Sequence, residues 1–530
     1  MKRGFSYLSL LAVGVAALVA TPIIFMLYSA LTVDTHLWVR LYDTRLKVIL
    51  PNTIKLLLSV GALTVIIGVV SAWIVTRYDF KGKSICEWLM ILPLAMPGYV
   101  LAYAYASIMA PGGIFQSLWI NIFGDSVAPP SLYSFWGVSL VLSLVNYPYV
   151  YLLTRASLLS QNVTYDEAAR VLGASRWKRF WSINIRMSYP GIIAGLALAL
   201  MEVMADFGTV ALLRYPTFTE AIYRQMTARF DPKGASAFAI ILVGMTFLLL
   251  NIERYFRGKG RFEQTKGRFK TYTPKKLRKG GCTVVTLILT LVISLAFVVP
   301  VGLLLKWGID AIFKGGIDSR FIRFTFNTIS VSAIGATLAS ILAIPVAYLH
   351  ARRLNILNKA VYFLSTLGYS LPGPVIAVSL LLTASFLFPQ LYGGVILLLV
   401  AYVARFIPIT LQSQDSSVSM VSKSLEDASR TLGAGMWETV RKILLPLIRP
   451  GLLTGWVIVF VDCMKELPAT LMLRPLAFDT LAVRVWMEAS EALWEMAALP
   501  ALLIVIAGLI PIAIITNSMS RGSRNGVQIT

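Results

Sequence analysis

Four carboxylates interrupt long apolar runs in this 530-residue sequence. Glu202 and Asp206 lie in LALALMEVMADFG, and Asp462 and Glu466 lie in WVIVFVDCMKELP. Each pair is spaced i,i+4, so a helix would present both acids on one face. An ionised carboxylate is costly in apolar surroundings, so such acids mark either a path for a charged solute or an ion pair. Hard cations take oxygen ligands. Glu202, Asp206, Asp462 and Glu466 are therefore candidates for lining a cation path. The structural alternative pairs them with Lys465 and Arg474 to fix the helix ends. Tyr99, Tyr103, Tyr105 and Tyr369 flank two Pro-Gly pairs; phenolate is also a hard ligand, but an interfacial aromatic belt is the expected reading. Other chemistry is scarce. His36 and His350 are the only histidines, and Cys86, Cys282 and Cys463 are isolated, so no metal ligands are assigned. Gly82-Lys83-Ser84 reads like the end of a phosphate loop, but Arg77 stands where GxxxxGK[ST] needs its first glycine. Neither a nucleotide site nor a catalytic residue is expected, so the chain is not read as an enzyme.

The acid pairs belong to a duplication. At an offset of 260, Glu202 aligns with Asp462 and Asp206 with Glu466. At the same offset DEAARVLGA (166–174) aligns with EDASRTLGA (426–434), Trp177 with Trp437, Ile183 with Ile443, and Pro190-Gly191 with Pro450-Gly451. Upstream, at an offset of 275, Asn52-Thr53 matches Asn327-Thr328 and Pro97-Gly98 matches Pro372-Gly373. Internal duplication in a membrane chain indicates a pathway between two related halves. The 166–174 and 426–434 blocks are short, rich in small residues, and lie between apolar runs. Asp166-Glu167 and Glu426-Asp427 suit a helix start, where acid complements the dipole. Gly173 and Gly433 permit the turn that follows.

The elements that position these residues are set by composition. Of all residues 57% are hydrophobic and only 14% are charged, against about 25% charged in soluble domains. Soluble enzyme, nucleic-acid binder and disordered scaffold are all excluded by this balance. Runs of spanning length lie near 5–31, 53–76, 88–110, 132–154, 190–212, 235–252, 282–305, 325–349, 360–388, 393–412, 449–473 and 496–517. About 20 residues make one helical crossing, so about twelve transmembrane helices are expected in an all-α membrane protein. In the fifth run Glu202 and Asp206 would stand roughly 18 and 24 Å from the helix start, and the nearby helix breaks at Phe207-Gly208-Thr209 and Leu467-Pro468 would help form a gate. The net charge of +23 reflects Lys and Arg concentrated on alternate loops, including the segment from Arg405 to Arg449. That bias puts both termini in the cytoplasm. Eleven Lys and Arg fall in 253–281. This segment is read as a basic linker attracted to anionic headgroups, joining a first six-span repeat (1–252) to a second (282–530). Nucleic acid is not an expected partner.

The duplicated block resembles the EAA loop of bacterial ABC-importer permeases. Glu167-Ala168-Ala169, Gly173 and Ile183 carry the likeness in the first copy, where Ile185-Arg186 replaces Leu-Pro. Asp427-Ala428-Ser429, Gly433, Ile443 and Leu445-Pro446 carry it in the second. ADFGTVALL (205–213), KELPATLMLRP (465–475), FDTLAVRVW (478–486) and YSLPGPVIAVSLL (369–381) are similar to the fused permeases of ferric-iron importers. The resemblance implies two six-helix repeats of the type I importer fold in the bacterial inner membrane. It also implies that Asp166, Glu167, Ala168, Ala169 and Gly173, with Glu426, Asp427, Ala428, Ser429 and Gly433, dock two copies of a cytoplasmic ATPase. The ATPase would use ATP and Mg, no cofactor would sit in this chain, and a periplasmic binding protein would deliver ferric iron. Thiamine, polyamine or another small solute is the alternative cargo. An ion-gradient-driven secondary transporter is the alternative mechanism, and the duplicated loop argues against it.

Overall fold

The structure, a computed structural model, describes residues 2–259, 274–277, 279–353 and 355–525. Among these, ten helices are long and apolar enough to cross a membrane, and two bent pairs raise the number to twelve. In chain order the spans are Tyr7–Leu31, Thr35–Arg77, Lys83–Ala95 with Gly98–Ile108, Phe135–Leu159, Trp177–Ala205 and Pro232–Arg257. The second half repeats them as Gly280–Phe313, Ser319–Arg352, Ile356–Ser370 with Gly373–Leu387, Val395–Met420, Trp437–Lys465 and Trp494–Ile514. The apolar runs of the sequence each fall on one of these spans.

The third and ninth spans are not continuous. They bend by 96° and 115° where Pro97 and Pro372 adopt extended backbone (ψ 147° and 146°). Proline supplies no N–H to the helix ladder and pushes the residue before it out of helical geometry. Met96 accordingly has ψ 120°. The glycine after each proline permits close approach. A Cβ on Gly98 would lie 2.5 Å from Thr209 Oγ1 and 3.0 Å from Asp206 Oδ2; one on Gly373 would lie 2.7 Å from Glu466 Oε1. The two bends therefore press against the two acid-bearing segments.

The fifth and eleventh spans differ from their apolar runs at the start, and they break next to Phe207-Gly208 and Leu467-Pro468, as the sequence suggests. Each begins earlier than its apolar run, with a π-type turn at Phe180–Ile185 and at Val440–Leu444. Each stops at a break, after Ala205 and after Lys465. Short helices Gly208–Leu212 and Pro468–Leu473 follow. Asp206 and Glu466 have extended backbone (ψ 123° and 114°). The expected i,i+4 pairs thus do not share a helix: the first acid of each pair lies in the last turn of the helix, and the second stands just beyond its end.

The halves exchange their first spans. Tyr7–Leu31 packs on the eighth and ninth spans, and Gly280–Phe313 packs on the third and twelfth. Both apolar cores are consequently shared. One joins Leu56, Tyr103 and Phe207 to Leu289, Leu304 and Leu502; the other joins Val15, Met26 and Phe238 to Val331, Ile376 and Leu398. Of the basic segment 253–281, residues 260–273 and 278 lie outside the described residues. Its end is tied down: Lys275–Lys276 pairs in parallel with Tyr78–Asp79, just after the second span.

Candidate functional site

All four in-span acids line one cavity of about 180 Å³ where the two halves meet. The broken third and ninth spans supply Pro97, Gly98, Tyr99 and Tyr369, Pro372; the fourth and tenth supply Asn146, Tyr149 and Arg405, Phe406. Phe207 and Leu467, on the side away from the 166–174 and 426–434 blocks, are only 1% exposed. Glu202, Asp462, Tyr149 and Tyr369 are half-buried.

The acids divide into two kinds. Asp206 accepts hydrogen bonds from the backbone N–H of Thr209 (3.0 Å) and Val210 (3.2 Å) and from Thr209 Oγ1 (2.8 Å). It thereby holds the start of the short helix Gly208–Leu212, where orphan N–H groups need an acceptor. Glu466 does the same in the second half, accepting from Ala469 N (3.1 Å) and from Arg405 Nη1 (3.1 Å). These two carboxylates build the breaks. Asp462 pairs with Lys465 Nζ at 2.8 Å. Glu202 makes no hydrogen bond or ion pair with any described residue, and neither do the hydroxyls of Tyr149 and Tyr369. Two carboxylates and two phenols, one of each from either half, thus face the cavity with oxygen to offer. Among the described residues no three His, Cys, Asp or Glu side chains are grouped to hold a metal ion. A sparse oxygen lining of this kind can attract a hard cation without a closed ligand cage.

The sequence reading missed Arg405 and Tyr149. Arg405 was expected on a loop, but it lies within the tenth span, Val395–Met420. The signal was present: Phe406-Ile407-Pro408-Ile409 continues the apolar run past the charge. Arg474 does not reach the acids; it pairs with Asp479. Nor do the tyrosines form a belt. Tyr99 and Tyr103 are buried, and their hydroxyls donate to Lys465 O (3.4 Å) and Trp494 O (2.7 Å). Tyr105 donates to Leu295 O.

The duplicated blocks form two matching arms between the fourth and fifth and between the tenth and eleventh spans. Each is a nine-residue helix, Val163–Val171 and Lys423–Thr431, ended by a glycine with φ +78° (Gly173) or +88° (Gly433). Only glycine adopts this geometry without strain. Glu167, Ala168, Asp427 and Ala428 are exposed, and Ala169 is half-buried. Leu172 is 86% exposed and Trp177 71%; their counterparts Leu432 and Trp437 are 88% and 71%. Such large apolar side chains, left open at equivalent places, make a surface for another protein. Asp166 turns inward to Arg179 (3.0 Å), and Glu426 turns inward to Arg352 and Tyr348. Ser429 is buried and shares a hydrogen bond with Thr439 (3.1 Å).

Comparison with known proteins gives a family model, described as binding-protein-dependent transport system inner membrane component, that matches residues 64–257 and 335–524. A Fe(3+)-transport system permease protein of Haemophilus influenzae is 27% identical over 515 residues, covering 96% of this chain and 98% of that protein. A putative ferric transport system permease protein of the same organism is 23% identical, covering 83% and 72%. A sulfate transport system permease protein of Escherichia coli is 30% identical over 35% of this chain and 67% of its own length.

Proposed function

Because the chain belongs to the family of binding-protein-dependent transport system inner membrane components, we propose that it is the fused permease of an ATP-driven importer whose cargo is ferric iron. A periplasmic binding protein delivers the iron, and two copies of a cytoplasmic ATPase, using ATP and Mg, dock on the two arms. Both termini then lie in the cytoplasm. The path runs between the halves through the acid-lined cavity. The observation that carries this reading is the convergence of Glu202 and Asp462, with Tyr149 and Tyr369, on that cavity. Their oxygen atoms suit a hard, highly charged cation better than a sulfate or another anion. The similarity along almost the full length to a ferric permease supports the same cargo.

ATP-driven closure of the ATPases moves the arms, and the arms move the fifth and eleventh spans that continue from them. Those spans end at the acids, so the stroke reaches the cavity directly. Asp206 and Glu466 hold the breaks; Glu202 and Asp462 meet the cargo. The test is iron uptake by proteoliposomes containing permease, ATPase and binding protein. Glu202→Gln should slow uptake about tenfold or more, the loss expected when a charged partner is removed in a poorly hydrated site, while ATPase copurification stays unchanged. Uptake at the wild-type rate would remove Glu202 from the path, and absence of ATP-dependent uptake by the wild type would defeat the cargo assignment.

A further inference from the structure

The cavity lining contains four carboxylates but a single amine, and the second half alone supplies it. Lys465 Nζ lies 2.8 Å from Asp462 Oδ1. The aligned position in the first half is Ala205. The other cation of the lining, Arg405, is already engaged by Glu466, and that pair is nearly dry, at 15% and 5% exposure. Lys465 and Asp462 retain 32% and 19%, so their pair is more open to the cavity than the Arg405–Glu466 pair. Glu202 faces the same space with no hydrogen bond or ion pair to any described residue. A compact ammonium on a flexible four-carbon stem can serve either carboxylate.

We propose that Lys465 is a tethered stand-in for the cargo, whose ammonium holds the cation position beside Asp462 and Glu202 while the path is empty and so sets the charge that a solute must bring to displace it. This rests on the cation-path reading above. A tethered group competes at an effective concentration on the order of millimolar. A univalent ion gains no more from the two carboxylates than the ammonium already there. Attraction scales with the product of charges, so a trivalent ion gains about threefold more at the same distance. Displacing the ammonium costs every cation the same, so Lys465 leaves univalent ions such as potassium and sodium with no net gain and admits a trivalent ion. It also loosens the hold on a trivalent ion once bound, because the ammonium returns to compete for the same oxygens.

Terbium(III) tests this in the full-length permease in detergent, since its emission is switched on by a tyrosine close by, and Tyr149 and Tyr369 line the cavity. The wild type should give a saturable signal that excess sodium or potassium does not remove. Lys465→Gln should raise the apparent terbium affinity about tenfold or more; Lys465→Met should do the same. Lys465→Arg, which keeps a tethered cation, should keep the affinity near that of the wild type. Adding Glu202→Gln and Asp462→Asn to Lys465→Gln should abolish the gain. Thermal melts of each variant confirm that it is folded. Lys465→Gln and Lys465→Met that are folded, yet bind terbium no more tightly than the wild type, would overturn the proposal alone. A signal indifferent to Glu202 and Asp462, or no signal in any variant, would overturn the cation-path reading and the proposal with it.

Discussion

Arg352, at the end of the eighth span, grips Glu426 of the second arm: Nε and Nη2 lie 2.7 Å and 2.6 Å from the same carboxylate oxygen. The two side chains are 10% and 3% exposed, and Arg352 also donates to Val421 O (2.9 Å). In the first arm the aligned acid, Asp166, is held by Arg179 at the start of the fifth span, which follows the arm directly. Arg77, which aligns with Arg352, instead enters a buried network with Gln161 and Asn184. The second arm is thus fastened through its acid to a span distant in sequence, whereas the acid of the first is held by the span that immediately follows it.

Arg352→Ala should therefore destabilise the second arm selectively. Removing one member of a buried ion pair costs about 3 kcal/mol. Limited proteolysis should show faster cleavage near 423–431 and little change near 163–171. Equal protection of the two arms in the variant would show that the grip does not hold the arm in place.

Leu172→Asp with Leu432→Asp should uncouple the ATPase without unfolding the spans. Both side chains are more than four-fifths exposed, and exposed substitutions usually shift stability by no more than about 0.5 kcal/mol. Copurification of the ATPase should fall sharply while the melting temperature of the permease is unchanged. Undiminished copurification would place the docking surface elsewhere.

Gly373→Ala should disturb the cavity from the side of the ninth span. Its Cβ would meet Arg405, Glu466 and Pro468 together, and overpacking of this kind costs about 1–3 kcal/mol. The variant should melt lower and transport more slowly, and Gly98→Ala should behave alike through Thr209 and Asp206. Wild-type melting and flux in both would mean that the bends can move aside freely.

The twelve spans were legible because a bilayer demands long apolar runs, and the duplication was legible because identical residues recur at fixed offsets. The breaks themselves were legible at Phe207-Gly208-Thr209 and Leu467-Pro468, but what holds them was not. Apolar character continues through Phe207-Gly208-Thr209-Val210 and through Leu467-Pro468-Ala469, while the helices stop where Asp206 and Glu466 turn their side chains to backbone N–H groups. That competition between side chain and backbone leaves hydropathy unchanged. Arg405 was hidden for the opposite reason: it falls inside the apolar run 393–412, yet its charge counts toward the basic loop that follows. The exchange of first spans left no trace in the sequence because a lipid-facing stripe and a partner-facing stripe are equally apolar.

That exchange has a consequence for how the protein is made. When the ribosome has completed the first six spans, the eighth and ninth spans that receive Tyr7–Leu31 do not yet exist. The seat on the third span for Gly280–Phe313 is equally vacant. Neither repeat can finish its interior alone, so maturation in the membrane waits for the last spans to leave the translocon and then closes both repeats together. Two severed repeats made in one cell should find each other, whereas either made alone should present an unfilled seat to membrane proteases.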